Sequence, residues 1–307
     1  MKKEILLGEG QCAKVVKVDN VAIKKFFSNY DNARKEEVFF LNKLDHENIV
    51  KMIENDFLTI TMELCDGDLL HWIKNNSRFI VAQNIINVAN QLVSGTKYLS
   101  NNNIVHADLK LANILYKKEG IDLKIKICDF SHSFAMDSPY HIKGSVDVIP
   151  PEAYYDKFSL SNIEKYDIWS IGQIIYGCFT RKHLIEEIIN TIRLDEKINL
   201  NLHQDYEYAC EFVKTQLHQG YIDDKVIAIL NDEKYAIYEI EGCDFLPKIT
   251  KFIYACSRIK RKDRFDHDSL HKILNEDSYE FPISFRKISY EIGKEFKSSE
   301  ENEVSFQ

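Results

Sequence analysis

His106-Ala107-Asp108-Leu109-Lys110-Leu111-Ala112-Asn113, with Asp129-Phe130-Ser131 following, is the part of the chain from which the rest can be read. One short loop carries a carboxylate, an ammonium and an amide. Moving a phosphoryl group onto a hydroxyl calls for those three groups. The carboxylate orients the hydroxyl and takes its proton, the cation neutralises charge on the moving group, and the amide oxygen ligates a divalent metal. A polar surface loop is the plain alternative. Asp129 weighs against it, because it ends a segment, Leu123 to Cys128, in which Leu123, Ile125 and Ile127 alternate with Lys124 and Lys126 as in a strand. A carboxylate at a strand end, paired with Asn113, makes an oxygen site suited to Mg2+. The plainer reading of Asp129 is a capping residue in a turn. The apolar run Asn113 to Tyr116 is strand-like as well.

Toward the N-terminus, Leu7-Gly8-Glu9-Gly10-Gln11-Cys12-Ala13-Lys14-Val15 is a glycine-containing turn between two strands. Glycines let a backbone approach a polyphosphate and present N–H groups to it, although a tight hairpin alone would also use them. Val15, Val16 and Val18 face Val21, Ala22 and Ile23 across a tight turn at Asp19-Asn20. Lys24 closes this strand, where it can reach phosphate oxygens as a point charge or stand as an ordinary exposed lysine. Asn32 to Leu44 reads as a helix on which Glu37, Leu41 and Leu44 share one face. A carboxylate on an inward face needs a partner, and Lys24 is the natural one. Glu37 could instead sit at the stripe's edge facing water, and Glu36 could take its role. Leu58, Ile60 and Met62 alternate with Thr59, Thr61 and Glu63, as in a strand buried on one face.

Beyond Asp66-Gly67-Asp68 the pattern becomes helical. Ile85, Val88, Ala89, Leu92, Thr96 and Leu99 form one helical stripe, and helical patterns dominate from Ile163 onward. The chain of 307 residues, 45% hydrophobic, is long enough for a sizeable core. Its net charge of −8 argues against nucleic acid as a partner. The longest apolar stretch, Ile168 to Phe179, is too short to span a bilayer, and the N-terminal apolar run is too short for a signal peptide. The seven cysteines are scattered without a C-x-x-C pair, as expected of an intracellular protein, cytoplasmic or nuclear, that is not secreted.

Taken in order, these residues resemble the eukaryotic-type protein kinase family, whose signatures are a Gly-rich loop, V-A-I-K, H-R-D-x-K-x-x-N, D-F-G and A-P-E. The resemblance runs from Leu6 to about Leu274. Gly144-Ser145 and Pro150-Pro151-Glu152 resemble the G-T-x-x-Y-x-A-P-E segment, Asp167-Ile168-Trp169-Ser170-Ile171-Gly172 matches D-x-W-S-x-G, and Arg264 stands where the family pairs an arginine with that glutamate. The resemblance implies an α+β, bilobal fold: a β-rich lobe over 1–62, a hinge over 63–68, a mainly helical lobe over 69–282 with a divergent region at 181–242, and a tail over 283–307. With the glycine loop opening at Gly8, no regulatory domain is expected before the small lobe, and the end of the tail is expected to be flexible.

The same resemblance implies ATP and Mg2+ as cofactors and protein substrates, with Ser/Thr as acceptors. Leu7 to Val15 and Ala22 would surround the nucleotide, Lys24 would hold its phosphates with Glu37 as partner, and Met62 would be the gatekeeper. Glu63 and Cys65 would offer backbone hydrogen bonds to adenine, and Asp68 would reach the ribose. Asp108 would be the base, Lys110 the γ-phosphate contact, and Asn113 and Asp129 the metal ligands. Three departures stand out. Ala13 replaces the third loop glycine, Ser131 the D-F-G glycine, and Ala107 the H-R-D arginine that otherwise holds a phosphorylated activation loop. The segment Ser131 to Lys143 offers Ser131, Ser133, Ser138 and Tyr140 but no threonine, so activity is expected to need no loop phosphorylation. A pseudokinase scaffold and a small-molecule kinase of related fold are the alternatives. All of the expected catalytic side chains stand against the first, and the Gly144-Ser145, Pro151-Glu152 and Arg264 elements stand against the second.

Overall fold

The computed structural model describes residues 3–120, 122–138, 144, 145, 148–155, 160–187, 222–226, 228, 245–277 and 279. Its N-terminal part is an antiparallel sheet of five strands, ordered β1-β2-β3-β5-β4. The strands are β1 (Ile5–Glu9), β2 (Ala13–Val18), β3 (Val21–Phe26), β4 (Met52–Asp56) and β5 (Thr59–Glu63). β2 and β3 pair in full register from Val18 and Val21 outward, and the left-handed backbone of Asp19 (φ 51°) makes the turn between them. Burial along β3 alternates strictly, so Ala22, Lys24 and Phe26 share the inner face. Helix α1 (Asp31–Leu41) crosses between β3 and β4 and buries Glu37, Phe40 and Leu41.

Two expectations for this part need correcting. The helix expected over Asn32 to Leu44 starts at Asp31 and ends at Leu41. Beyond it, Lys43 N–H and Leu44 N–H reach back only three residues, to Phe40 and Leu41, the tightened bonding of a fraying helix end. Leu58 is not in a strand. Its φ of 61° places it in the β4–β5 turn, and its carbonyl accepts from Phe26 N–H at 2.8 Å. Nor is β5 buried on one face alone, because Ile60, Thr61 and Met62 are all buried where the strand runs between β3 and β4.

The rest of the described chain is mainly helical. It contains α2 (Leu69–Asn75), α3 (Arg78–Asn101), α4 (Glu152–Tyr155), α5 (Tyr166–Thr180), α6 (Phe245–Cys256) and α7 (His267–Asn275). Asp68 caps α2 by accepting from His71 N–H, and Ser77 caps α3 by accepting from Ile80 N–H. α5 is buried along all 15 residues, as suits a helix apolar all round, and it packs against α3 and α6. No helix among the described residues is long and apolar enough to cross a membrane.

Two small sheets lie on this helical body. The first is ordered β6-β8-β9, from β6 (Gly67–Asp68), β8 (Ile114–Glu119) and β9 (Asp122–Ile127). The second pairs β7 (Ile104–Val105) with β10 (Phe134–Ala135). Asn113, expected to open a strand, instead lies in a 3-10 turn (Leu111–Asn113), and Cys128, expected to close one, lies just past β9. Both shifts place a side chain where the chain leaves the ladder.

β9 is an edge strand, and side-chain amides cover its open edge. Gln91 donates to Leu123 O at 2.7 Å and accepts from Ile125 N–H at 2.9 Å. Asn87 donates to Leu123 O at 3.0 Å and Asn48 to Ile125 O at 3.1 Å. An edge covered in this way offers little to a foreign strand. β9, which Asp129 follows, is thereby held against α3. The divergent region apart from residues 181–187, 222–226 and 228, including Tyr206 to Gln219, whose sequence pattern reads as a helix, lies outside the described residues, as do Tyr140 and the tail from 283.

Candidate active site

Four segments converge on one cleft, and each delivers its side chain for a local reason. β3 turns Lys24 inward by strand alternation. α1 packs on the short turn Phe130–His132, so Glu37 on its buried face comes up beside Asp129. Lys24 Nζ then donates to Glu37 Oε2 at 2.7 Å and to Asp129 Oδ1 at 2.8 Å. Burial works against the charge on Lys24, yet Glu37 and Asp129 hold its pKa well above the ordinary lysine value. Burial also opposes ionisation of Asp129, but the Lys24 charge and hydrogen bond, with the Ser131 hydroxyl, hold that carboxyl well below the usual range. On Glu37 burial pushes the pKa up while Lys24 pulls it back. Glu36, the alternative to Glu37, is exposed.

The second cluster forms where β7 runs into the loop His106 to Lys110. Both oxygens of buried Asp167, at the start of α5, accept from this loop, from His106 N–H at 2.7 Å and from Ala107 N–H at 3.0 Å. The His106 ring lies 3.0 Å from Cys128 O through Nε2 and accepts from Asp108 N–H through Nδ1. The loop and the end of β9 are thereby tied to each other. Asp108 Oδ2 accepts from Lys110 Nζ at 2.8 Å and from Asn113 Nδ2 at 3.0 Å, while Oδ1 accepts from Ser145 N–H at 2.7 Å. Lys110 Nζ also donates to Ser145 Oγ at 2.7 Å. Gly144 has a φ of 110°, and a Cβ there would stand 2.3 Å from Ala107 O, so only glycine allows this approach.

The glycine loop is different. A Cβ on Gly8 would meet nothing within 4 Å, and one on Gly10 only Ala13 O at 3.9 Å. The fold itself does not require glycine there, whereas a phosphate lying against the backbone would. Leu7, Gly8, Glu9, Gly10, Gln11 and Lys14 are exposed, and Cys12 and Val15 are half-buried. Ala13 does not line the loop with its side chain. The methyl is buried in the apolar core, and its carbonyl closes the turn by accepting from Gly10 N–H at 2.9 Å. Ala22 and Met62 are paired across β3 and β5 and both are buried.

At the connection between the two parts, Glu63 pairs with Val21 at the end of the β3–β5 ladder and its N–H donates to Lys51 O at 3.0 Å, so that N–H is already engaged. Its carboxylate is held by Lys117 and Lys126 at 2.5 and 2.8 Å. Cys65 is half-buried in the following link. Asp68, expected at a ribose, has Oδ1 engaged by His71 N–H at 2.8 Å as the cap of α2. Glu152 and Arg264 do meet, 112 residues apart, through Nη1 at 2.7 Å and through Nη2, both buried.

The donor set fits a small divalent cation carried in with a nucleotide. Asn113 has its amide nitrogen turned to Asp108, which leaves Oδ1 as its ligand atom, and Asp129 has Oδ2 clear of both Lys24 and Ser131. Among the described residues no three His, Cys, Asp or Glu side chains gather as a self-sufficient metal site, so phosphate oxygens would complete the shell. Sequence reasoning missed two members of the site. The role of Asp167 had a signal, a carboxylate opening an otherwise apolar run. The Ser131 hydroxyl bond to Asp129 had none, because it depends on a turn geometry that the sequence does not spell out.

The protein kinase domain family matches residues 1–277 of the chain. Calcium-dependent protein kinase 6 of Plasmodium berghei (strain Anka) is 31% identical over 261 residues, 80% of this chain and 17% of its own. Calcium-dependent protein kinase 5 of the same organism is 31% identical over 188 residues, covering 55% of this chain and 32% of its own. Serine/threonine-protein kinase RUNKEL of Arabidopsis thaliana is 29% identical over 191 residues, covering 57% and 14%. The chain therefore spans less than a third of each of these relatives.

Proposed function

Because the chain belongs to the protein kinase domain family, we propose that it transfers the γ-phosphoryl group of Mg-ATP to serine or threonine hydroxyls of protein substrates. The observation that carries this reading is Lys24 Nζ held between Glu37 and Asp129 at 2.7 and 2.8 Å. A buried ammonium with two carboxylates is costly to assemble for stability alone, and it sits where a triphosphate entering under the glycine loop would find it.

The residues divide the work as follows. The backbone from Leu7 to Val15 covers the phosphates, with Gly8 and Gly10 allowing close approach, and Lys24 orients them. Val15, Ala22 and Met62 offer apolar surface to adenine, and the Glu63 carbonyl and the Cys65 backbone bind its edge. Asn113 Oδ1 and Asp129 Oδ2 would hold Mg2+, which when bound neutralises phosphate charge. Asp108, fixed through both oxygens, orients the acceptor hydroxyl and takes its proton as the new O–P bond forms and ADP departs. Lys110 lies beside Asp108 and neutralises charge on the transferred group. Its second bond, to Ser145, ties the acceptor side to the activation segment and favours Ser/Thr acceptors.

Ala107 suits a switch-free enzyme. It is buried, holds a left-handed backbone (φ 67°) and offers no cation to a phosphorylated loop. The test is a Ser/Thr/Tyr peptide library with Mg-ATP, run on the full chain, on Asp108→Asn, and on chain pretreated with phosphatase. Wild type should label Ser/Thr peptides, Asp108→Asn should lower kcat by about 100-fold or more, and phosphatase should leave the rate unchanged. Equal silence of wild type and Asp108→Asn would overturn catalysis, and full loss after phosphatase would overturn the switch-free reading.

A further inference from the structure

Ser131 occupies the place where the family carries glycine, and the fold gives it a partner. Its Oγ donates to Asp129 Oδ1 at 2.8 Å. Lys24 donates to the same oxygen, also at 2.8 Å. Oδ2 receives neither bond. The Asp129 backbone is left-handed (φ 67°, ψ 75°), a conformation that few residues with a Cβ adopt. Ser131 itself is not among the left-handed positions, so the turn has no steric need for glycine there. Its hydroxyl has a single proton, which goes to Asp129. The contact with His132 Nδ1 at 3.2 Å must then run from the imidazole N–H to the serine oxygen, giving a chain of donors that ends on the carboxylate.

We propose that Ser131 is a positioning residue for the nucleotide-borne divalent cation, its hydroxyl pinning Asp129 by one oxygen so that the other faces the metal. The inference rests on the kinase reading above. Two roles can be separated by substitution. If the hydroxyl bond matters, Ser131→Ala and Ser131→Gly both lose it, while Ser131→Thr keeps it. If only backbone stiffness matters, Ser131→Ala behaves as wild type and Ser131→Gly alone differs.

The experiment is calorimetric titration of Mg2+ into the full chain saturated with ADP, alongside ADP binding without metal. Ser131→Ala and Ser131→Gly should each weaken Mg2+ about tenfold, as expected for loss of a hydrogen bond to a charged group. ADP affinity without metal should stay within about twofold for both, and Ser131→Thr should restore wild-type Mg2+ binding. In turnover, the Mg2+ concentration giving half-maximal rate should rise with the same pattern. Wild-type Mg2+ affinity in Ser131→Ala overturns the proposal and leaves the kinase reading intact. Wild-type chain that binds no ADP with or without Mg2+ overturns both.

Discussion

Glu37 shows how much one residue depends on its surroundings. Its Oε2 is bonded to Lys24, and the carboxylate is otherwise buried away from water against the Phe130 backbone N–H. A carboxylate in that state is a poor contributor to stability, because the attraction to Lys24 is set against lost hydration. Its value lies in where it holds the ammonium. Glu37→Gln, which keeps the shape and removes the charge, still leaves Lys24 the Asp129 carboxylate, so unfolding free energy should change by about 1 kcal/mol, the loss of a hydrogen bond and not of a buried charge's last partner. It should lower kcat/KM for ATP by about tenfold or more, since Lys24 would be left to Asp129 alone. Chemical denaturation and initial rates on the same preparation check both halves. A variant that is unstable but fully active would show that Glu37 serves the fold instead.

Among the elements, α7 carries a charge problem at its first turn. Asp266 caps the helix through Ser269 N–H at 2.8 Å, and His267 follows, buried, with Nε2 lacking a partner. Burial, helped by Lys97 and opposed by Asp266 and Asp268, pushes its pKa down from 6.5 to about 4. A helix N-terminus is itself a poor place for a cation. The folded value lies below the unfolded one, so the contribution of neutral His267 is present in full above pH 6.5. It is lost as pH falls through 4. That gap corresponds to about 3 kcal/mol. Urea unfolding at pH 7 and pH 4 should show wild type losing more stability than His267→Gln, which has no proton to gain. Parallel losses in the two proteins would rule His267 out as the source. Whether a helix is stable in acid thus depends on one side chain whose type, but not burial, can be read from the chain.

Across the whole molecule, Glu152 and Arg264 join segments 112 residues apart. The guanidinium also donates to Arg258 O and Lys165 O and lies 5.4 Å from the Trp169 ring centre. Fully buried, the pair fastens the end of the activation segment to α5 and to the stretch after α6. Arg264→Met would strand a buried carboxylate, and a loss of about 3–5 kcal/mol is expected. Glu152→Leu combined with Arg264→Met should recover most of it, because no unpaired charge then remains. Denaturant unfolding of the single and double variants measures this coupling, and additive losses would mean the two side chains stabilise the fold independently.

Much of this protein could be read from the order of its residues. Alternation along Leu123 to Ile127 and the stripe along α3 reflect the geometric periods of strand and helix, which neighbours in sequence set for themselves. The meeting of Lys24 with Glu37 could be read too, because a carboxylate on an inward helix face needs a partner. Element ends were less legible. Leu41, Leu58 and Cys128 lie where local preference is weak and packing chooses the last bonded residue. The binding of Asp167 to the His106 loop, the two donors on one oxygen of Asp129, the closing of Gly144 onto Ala107 and the amide cover on β9 were decided by the tertiary structure alone. Each joins groups whose meeting depends on a turn or on distant segments packing together, and periodicity carries no information about which side chains such packing brings within 3 Å.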